Sequence, residues 1–237
     1  MLLNPDQLRN NLDRLEDIEK ASLRHVVQAI CDYRSSAVRI FRAEQDLVAD
    51  IAEDVTREAL DKMGTARIDQ RLFGKVDYKC ARYLFHPDYA VRQALFVDSK
   101  AEQVSGQQTV TLQISQISMT VRQFRAGQST EVQGSLPSIL SLGLNSYITT
   151  TIFVKYNYEE VNSYNELRSV TIAALPNGFL QGRYNPTADD TIWLAGRNAP
   201  TRDEAFRVRL SFPKLKEKCG WRVQTIPCPP VEFEWSE

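Results

Sequence analysis

Hydrophobic positions near the start of the chain recur every three or four residues, which is the spacing of an amphipathic helix. Asn4 is a suitable helix cap and Pro5 suits the first helical position, so a helix is predicted from this point. The Ser-Ser pair at 35–36 is expected either to weaken this helix or only to dent it. A second helical pattern begins at about Glu44, and Gly64 is placed to end it.

After residue 64 the pattern changes to short apolar runs separated by polar turns, which predicts strands. In the last run, apolar residues alternate with Arg207, Arg209 and Ser211, which is typical of a half-buried strand with a basic face. The polar segment 185–204 predicts a long loop, and loops of that length in a compact domain are often functional. The predicted strands are 74–85, 92–101, 109–117, 148–157, 167–175 and 205–212.

Helices first and strands afterwards predict a mixed α/β (α+β) fold, with a central mixed β-sheet flanked by helices and an N-terminal helical region. The chain has 237 residues, which is enough for one sizeable domain. We therefore expect a single domain over residues 1–237. Its expected parts are a helical part at 1–63, a sheet at 64–175 and a loop and strand at 176–222.

Composition excludes several classes of protein. The N-terminus has no basic region followed by an apolar core, so a signal peptide is not expected. No stretch approaches the eighteen or so apolar residues that cross a membrane. Four cysteines without Cys-x-x-Cys pairing and only two histidines favour neither a zinc site nor a disulfide framework. We expect a cytoplasmic protein with reduced thiols and no membrane contact.

The net charge of −1 hides an uneven distribution. Residues 1–63 carry nine basic and thirteen acidic side chains, whereas residues 181–222 carry nine basic and five acidic ones. A positive late segment suits attraction to phosphates. A solvated surface of uneven composition explains the same numbers equally well.

The stretch ALFVDSKAE, residues 94–102, leads an apolar strand directly into two charges. Side chains at i and i+2 on a strand share a face, so Asp98 and Lys100 should face one way and Ser99 the other. The Asp-x-Lys spacing at a strand end is half of a metal-dependent phosphodiesterase site, in which the carboxylate binds a divalent cation and the lysine acts on the attacking water. Such a site needs a second carboxylate from a neighbouring strand. An exposed ion pair at a strand end would give the same short pattern.

Two upstream residues are candidates for the second carboxylate. Asp88 follows Pro87, and Asp77 belongs to a second Asp-x-Lys with Lys79. A strand holding Asp77, a connection at 85–91 and a return strand to Asp98 would form a hairpin, with Asp88 as a turn residue. Spacing favours Asp77 only modestly, and both candidates remain open on this ground.

Nine blocks of sequence, in one order along residues 12–224, resemble the SfiI-like type II restriction endonucleases of the PD-(D/E)xK superfamily. Agreement in so many separate blocks is far more specific than any one motif. The blocks are LDRLEDIEKASLRHVVQAI, IAEDVTREAL, VDYKCARYL, ALFVDSKAE, TTTIFVKYNYEE, LRSV, RYNP, AGRNAPTRDEAFRVRLSF and LKEKCGWRVQ.

The resemblance implies a restriction-endonuclease-like core and Mg²⁺-dependent cleavage of DNA at interrupted GC-rich palindromes. It implies the first metal-binding carboxylate at Asp77 and the second carboxylate and lysine at Asp98 and Lys100, with no counterpart for Asp88. Val76 stands where the motif has proline, which has no role in the chemistry.

Two further members of the metal site are implied by the same resemblance. The carbonyl of Ser99 is an expected metal ligand, and a helix glutamate that reaches the metal site in related nucleases corresponds to Glu53, with Asp54 as the fallback. For Glu53, a solvated helix face or a pair with Arg57 at i, i+4 is an equally strong expectation.

Sequence recognition requires hydrogen-bond donors that reach base edges, and arginine paired with guanine is the commonest specific contact in the major groove. The loop and strand at 176–222 are therefore the expected recognition region, and the sheet at 64–175 the catalytic one. The candidate DNA-binding residues are Arg183, Asn185, Arg197, Asn198, Arg202, Arg207 and Arg209.

An interrupted palindrome implies a two-fold dimer, and the resemblance extends this to a homodimer or a homotetramer made of two dimers. The expected partners are double-stranded DNA and a cognate DNA methyltransferase of the same system. The expected products carry 5′-phosphate and 3′-hydroxyl ends. Two alternatives remain: a structure-specific repair or recombination nuclease of the same fold, and a DNA-binding protein that does not cleave.

Overall fold

The structure of the chain is a computed structural model. Everything below concerns the residues that the structure describes, which are 2–44, 48–64, 66–67, 81–104, 108–195 and 206–237.

Helices dominate the N-terminal part, as the hydrophobic spacing predicts. A 3₁₀ helix at Pro5–Asn10 comes first, and the Asn4 side chain caps it by accepting a hydrogen bond from the Asp6 backbone N–H. The long helix then continues without a break through the Ser-Ser pair at 35–36. The α-helices are α1 Leu12–Ala43, α2 Val48–Asp61, α3 Gln181–Tyr184 and α4 Phe212–Lys218. None of the described helices is long and apolar enough to cross a membrane.

The rest of the described chain consists mainly of strands. They are β1 Ala66–Arg67, β2 Arg82–His86, β3 Val91–Gln103, β4 Thr109–Gln113, β5 Thr120–Arg125, β6 Gln128–Gln133, β7 Ile139–Leu142, β8 Asn145–Val161, β9 Tyr164–Leu175, β10 Trp193–Ala195, β11 Arg207–Ser211 and β12 Val223–Pro227.

A central mixed sheet organises these strands in the order β1-β2-β3-β8-β9-β12, with β7 paired to β8. The strands β3 and β8 run parallel, and the other pairs are antiparallel. A hairpin leading into β3 is present: β2 pairs with β3, with Arg82 opposite Leu95. The part of the predicted first strand that would hold Asp77 lies outside the described residues. The mixed α/β fold predicted from the order of elements is confirmed.

A smaller sheet of order β10-β11-β4 and the β5-β6 hairpin lie outside the central sheet. Two predicted strands end earlier than expected. The strand predicted at 109–117 ends at Gln113 and continues as a 3₁₀ helix. The strand predicted at 205–212 ends at Ser211, which caps α4 and is followed by Phe212 and Pro213 in the first turn. The predicted loop at 185–204 contains the short strand β10.

The central sheet is buried on both faces. One face packs against α1 and α2, with Val97 of β3 and Val154 of β8 in the same apolar cluster as the helices. The other face packs against the smaller sheet, with Phe153 of β8 beside Val110 and Leu112 of β4. Because side chains alternate along a strand, neighbouring residues of β3 point into these two different layers.

A buried ionic network fastens α1 to the segment that leads into β12. Arg222 Nη2 lies 2.6 Å from Glu19 Oε2, and both side chains are fully buried. Arg222 Nε donates to the Tyr184 hydroxyl at 2.7 Å, and the Asn177 backbone N–H donates to Glu19 Oε1 at 2.8 Å. Burial raises the pKa of Glu19, and the charge of Arg222 opposes that rise.

Replacing Arg222 by Met is expected to destabilise the fold by about 3–5 kcal/mol, because it leaves a buried carboxylate without its cation. The exposed pair of Arg168 with Glu159, at 2.9 Å, provides the control. Arg168→Ala should cost about 1 kcal/mol or less. Urea unfolding followed by circular dichroism measures both changes. Equal losses of unfolding free energy in the two variants would contradict the larger contribution of the buried network.

Candidate metal centre

Asp98 and Lys100 lie on β3, the strand that forms the parallel pair of the central sheet. Val97 packs with the helices, so Asp98 and Lys100 project from the opposite face, towards the smaller sheet. In the parallel ladder Asp98 is opposite Phe153 and Lys100 is opposite Lys155. The predicted sharing of one face by Asp98 and Lys100 is confirmed.

The Asp98 carboxylate is partly enclosed. The residue as a whole is half-buried, but its Oδ2 atom is shielded from solvent and accepts no hydrogen bond from the described residues. Burial raises the pKa of Asp98, while the charge of Lys100 and a hydrogen bond from the Gln116 side chain partly offset this. A shielded carboxylate oxygen with a free lone pair suits a hard divalent cation.

Lys100 is held in a defined position beside this carboxylate. Its Nζ donates a hydrogen bond to the backbone carbonyl of Thr111 on β4 at 2.6 Å. The same ammonium lies 5.5 Å from the centroid of the Phe153 ring. The smaller sheet therefore provides the contact that fixes the lysine.

Glu53 is half-buried on α2, and its negative charge contributes to the raised pKa of Asp98. Arg57 does form an ion pair, but with the exposed Asp54, at 2.9 Å and three residues away. This charge effect favours Glu53 over the fallback Asp54, and a place for Glu53 in the metal site stays a prediction.

Asp88 lies in the exposed turn at 87–90, between β2 and β3. Asp98 is seven residues beyond Val91, the first residue of β3, which at about 3.3 Å per residue is roughly 23 Å. One cation cannot bridge that distance, so the turn assignment of Asp88 is confirmed. Asp77 lies outside the described residues, as do the recognition candidates Arg197, Asn198 and Arg202.

Within the part of the chain that the structure describes, no three His, Cys, Asp or Glu side chains form a complete metal-binding group. Among the described residues, the predicted oxygen donors are Asp98 and Glu53. The Ser99 side chain is buried on the helix side of β3. The metal-binding role of its carbonyl, like that of Asp77, stays a prediction.

Two of the predicted DNA-binding residues have partners within the protein, and their contact with DNA stays a prediction. Asn185 is fully buried, and its Nδ2 donates to the Thr120 carbonyl at 2.6 Å. The Arg183 guanidinium is paired with Asp13, at 2.7 Å, and with Glu16 of α1. These contacts connect Arg183 to α1, while its side chain stays 38% exposed.

Arg207 and Arg209 lie on the face of β11 that is turned away from the central sheet, since Val208 and Leu210 between them are buried in the core. Arg209 is braced by hydrogen bonds to the Ala195 carbonyl, the shorter at 2.8 Å. The half-buried strand with a basic face is confirmed, and DNA contact by these two arginines stays a prediction.

Sequence reasoning missed two residues beside the centre, Gln116 and Lys155, and one arginine beside β11. Gln116 bonds to the Asp98 carboxylate, Lys155 stands beside Lys100 in the parallel ladder, and Arg125 lies over the Phe206 ring next to β11. Only Lys155 has a signal in the sequence, because it is a lysine within the apolar run TTTIFVKY. The other two are brought to their places by the β4 and β5 segments.

A central mixed sheet with Asp-x-Lys on its parallel strand pair is the arrangement of a restriction-endonuclease-like, metal-dependent nuclease. Comparison with known proteins identifies the family. The family model for the type II restriction enzyme SfiI matches residues 14–226, and the chain belongs to this family of site-specific deoxyribonucleases.

The type II restriction enzyme SfiI of Streptomyces fimbriatus is 36% identical to the chain over 240 residues, with 94% of this chain and 88% of that protein covered. The crystal structure of tetrameric SfiI bound to cognate DNA superposes with a TM-score of 0.80 at 34% identity, covering 95% of this chain and 88% of that one. The restriction endonuclease BglI bound to its DNA shares the fold, with a TM-score of 0.77 at 15% identity over 96% and 95% of the two chains. Type II restriction enzymes are in general metal-dependent, which agrees with the chemistry of the Asp98 site.

Proposed function

We propose that the chain makes Mg²⁺-dependent double-strand cuts in DNA at a specific, interrupted and GC-rich palindromic site, leaving 5′-phosphate and 3′-hydroxyl ends. The observation that carries this proposal is the pair Asp98 and Lys100 on one face of β3, with a shielded Asp98 oxygen that accepts no hydrogen bond from the described residues. Membership of the SfiI family supports it.

Within the proposed site, Asp98, Asp77 and the Ser99 carbonyl hold the cation, and Glu53 completes its surroundings. A bound divalent cation stabilises charge that develops on the phosphate oxygens and makes a water molecule easier to deprotonate. Lys100, fixed on the Thr111 carbonyl, stands beside the carboxylate and favours deprotonation of the attacking water by its positive charge. Gln116 keeps the Asp98 carboxylate oriented.

Base recognition is assigned to the basic outer face of β11, with Arg207 and Arg209, together with Arg197, Asn198 and Arg202 of the preceding loop. Arginine offers two parallel donors to guanine, which suits a GC-rich site. Arg183 and Asn185 are weaker candidates for base contact, because one is paired with α1 and the other is buried.

The proposed assembly is a two-fold dimer that reads one half-site per subunit, or a pair of such dimers. The tetrameric state of the SfiI homologue bound to cognate DNA supports the larger assembly. We further propose that residues 1–237 act as one domain in the cytoplasm, beside a DNA methyltransferase that protects the same sequence in the host.

Digestion of DNA of known sequence with Mg²⁺, followed by sequencing of the fragment ends, tests the proposal. We expect reproducible ends on both strands, each flanked by one interrupted GC-rich palindrome, and no cutting when EDTA removes the metal. Ends without a common motif, or cutting confined to branched DNA, would indicate a structure-specific nuclease instead. Sequence-specific binding without any cutting would indicate a DNA-binding protein that has lost cleavage.

A further inference from the structure

A buried lysine stands next to the proposed catalytic lysine. Lys155 on β8 is the register partner of Lys100 on β3, and the two side chains project from the same face of the sheet. The Lys155 side chain is only 5% exposed. A buried ammonium requires compensating partners, because removal of its hydration is costly.

The partners of Lys155 come from two other elements. Its Nζ lies 2.7 Å from Glu102 Oε2, on the same strand as Lys100, and donates to the Thr109 carbonyl on β4 at 3.2 Å. One ammonium therefore ties β8, the catalytic strand β3 and the smaller sheet together. An apolar side chain of similar length would fill the same space without the cost of burying a charge, so filling space does not explain a lysine here. Its contacts with Glu102 and Thr109 indicate a further role.

The segment 109–116 contacts the centre at three successive points. Lys155 binds the carbonyl of Thr109, Lys100 binds the carbonyl of Thr111 and Gln116 binds the carboxylate of Asp98. Carbonyls two residues apart on a strand point to the same side, so the two lysines donate hydrogen bonds to the same edge of β4. Fixing Thr109 therefore fixes the acceptor that positions Lys100.

The other edge of β4 pairs with β11, which carries the proposed recognition arginines. Thr111 is the register partner of Arg209, and Thr109 is the partner of Ser211. If β11 moves when it binds DNA, the antiparallel ladder between β11 and β4 transmits this movement to the carbonyls of Thr109 and Thr111, which accept hydrogen bonds from the two lysines.

We propose that Lys155 is a positioning residue that locks β4 onto the catalytic strand, so that Lys100 and Gln116 are correctly placed when the β11 face engages DNA. The inference rests on the proposed function of Asp98 and Lys100. In the proposed role Lys155 contacts neither the metal nor DNA, and it acts through the Thr109 carbonyl.

Lys155→Met removes the charge and keeps most of the side-chain volume, so the test separates cleavage of bound DNA from binding. We expect the single-turnover cleavage rate with saturating enzyme and Mg²⁺ to fall by about 10–100-fold, since small displacements of catalytic groups have effects of this size. The Kd for the same DNA, measured with Ca²⁺ in place of Mg²⁺, should stay within about threefold, because Lys155 lies outside the proposed DNA contacts. Lys155→Arg keeps the charge and should retain most of the rate.

The control is Lys20→Met, which removes another ion-paired lysine, the partner of Glu237, from α1 on the opposite side of the sheet. It should cut bound DNA at the wild-type rate. If Lys155→Met does not fold, Glu102→Gln replaces it, because Glu102 is 39% exposed and tolerates substitution better. A smaller loss in the same direction, again without a change in Kd, is expected there.

A Lys155→Met or Glu102→Gln enzyme that binds weakly but cuts bound DNA at the wild-type rate would show that the pair only supports folding, and would overturn the inference. If Asp98→Ala is inactive in the same assay, the proposed function still holds even though the inference about Lys155 is overturned. Absence of cutting by the wild-type protein, or full activity of Asp98→Ala, would instead overturn the proposed function and the inference with it.

Discussion

Asp98→Asn is expected to lower the single-turnover rate of DNA cleavage by about 10³-fold or more. The substitution keeps the shape of the side chain but removes its charge from the proposed metal site. Loss of about 4 kcal/mol of transition-state stabilisation, within the several kcal/mol that a metal ion supplies, corresponds to this factor. The rate is measured with saturating protein, Mg²⁺ and DNA that contains one cleavage site.

Asp88→Asn is the matched control, because it changes the same type of residue in the exposed turn roughly 23 Å from the site. It should cut at the wild-type rate. Comparable losses in the two variants, or undiminished cutting by Asp98→Asn, would contradict the assignment of the metal site to Asp98.

Asp98→Asn is also expected to leave the metal-free protein at least as stable as the wild type at neutral pH. Burial raises the pKa of Asp98 in the folded state, so the native protein holds this proton more tightly than the unfolded chain does. Stability is therefore lost as the pH rises through the interval between the unfolded and folded pKa values. At neutral pH the ionised carboxylate is a cost that Asn removes.

Thermal unfolding in EDTA and in Mg²⁺ measures this effect. The wild-type Tm should rise when Mg²⁺ is added, because a cation that binds only the native state stabilises it. Asp98→Asn should show little or no such rise. An equal Mg²⁺-dependent shift in both proteins would place the cation elsewhere.

Lys100→Met is expected to reduce cleavage by about 10²–10⁴-fold, the range typical of a lost proton-transfer group. Lys100→Arg should not restore the rate, because the wider guanidinium cannot reproduce a single ammonium held on the Thr111 carbonyl. The Kd for DNA in Ca²⁺ should change little, since most of the affinity comes from many other phosphate contacts.

A pH effect accompanies this loss. The charge of Lys100 lowers the pKa of Asp98, so its removal raises that pKa further and makes protons compete better with the cation. As the pH is lowered, the residual activity of Lys100→Met should therefore be lost at a higher pH than the activity of the wild type. A full pH profile at fixed Mg²⁺ checks this, with Lys20→Met as the control, and an unshifted profile together with a wild-type rate would sink the assignment of Lys100.

Local periodicity was sufficient to predict several parts of the fold and the site. The helical spacing before residue 44, the alternation that puts Asp98 and Lys100 on one face, and the basic face of β11 all depend on neighbours within a few residues. Such patterns follow directly from the geometry of a helix or a strand. The short motif at 98–100 became specific only because eight other blocks of the same chain resemble one family.

The partners of Arg183 and Asn185 could not be predicted in this way. Arg183 and Asn185 look like ordinary donors in a polar segment, but their partners, Asp13 and Thr120, are 170 and 65 positions away in the chain. Burial and pairing across such distances leave no local pattern, so the sequence alone does not show that these two side chains have partners within the protein.

The sequence by itself determined which residue types can perform the chemistry and which face of each strand they occupy, because these depend on composition and on the two-residue repeat of a strand. Only the tertiary structure decided what surrounds them. It placed Asp88 far from Asp98, brought Gln116 to the carboxylate, and aligned Lys155 with Lys100. Those relations arise from strand order and sheet packing, in which contacts between distant parts of the chain, and not local spacing, set the position of each group.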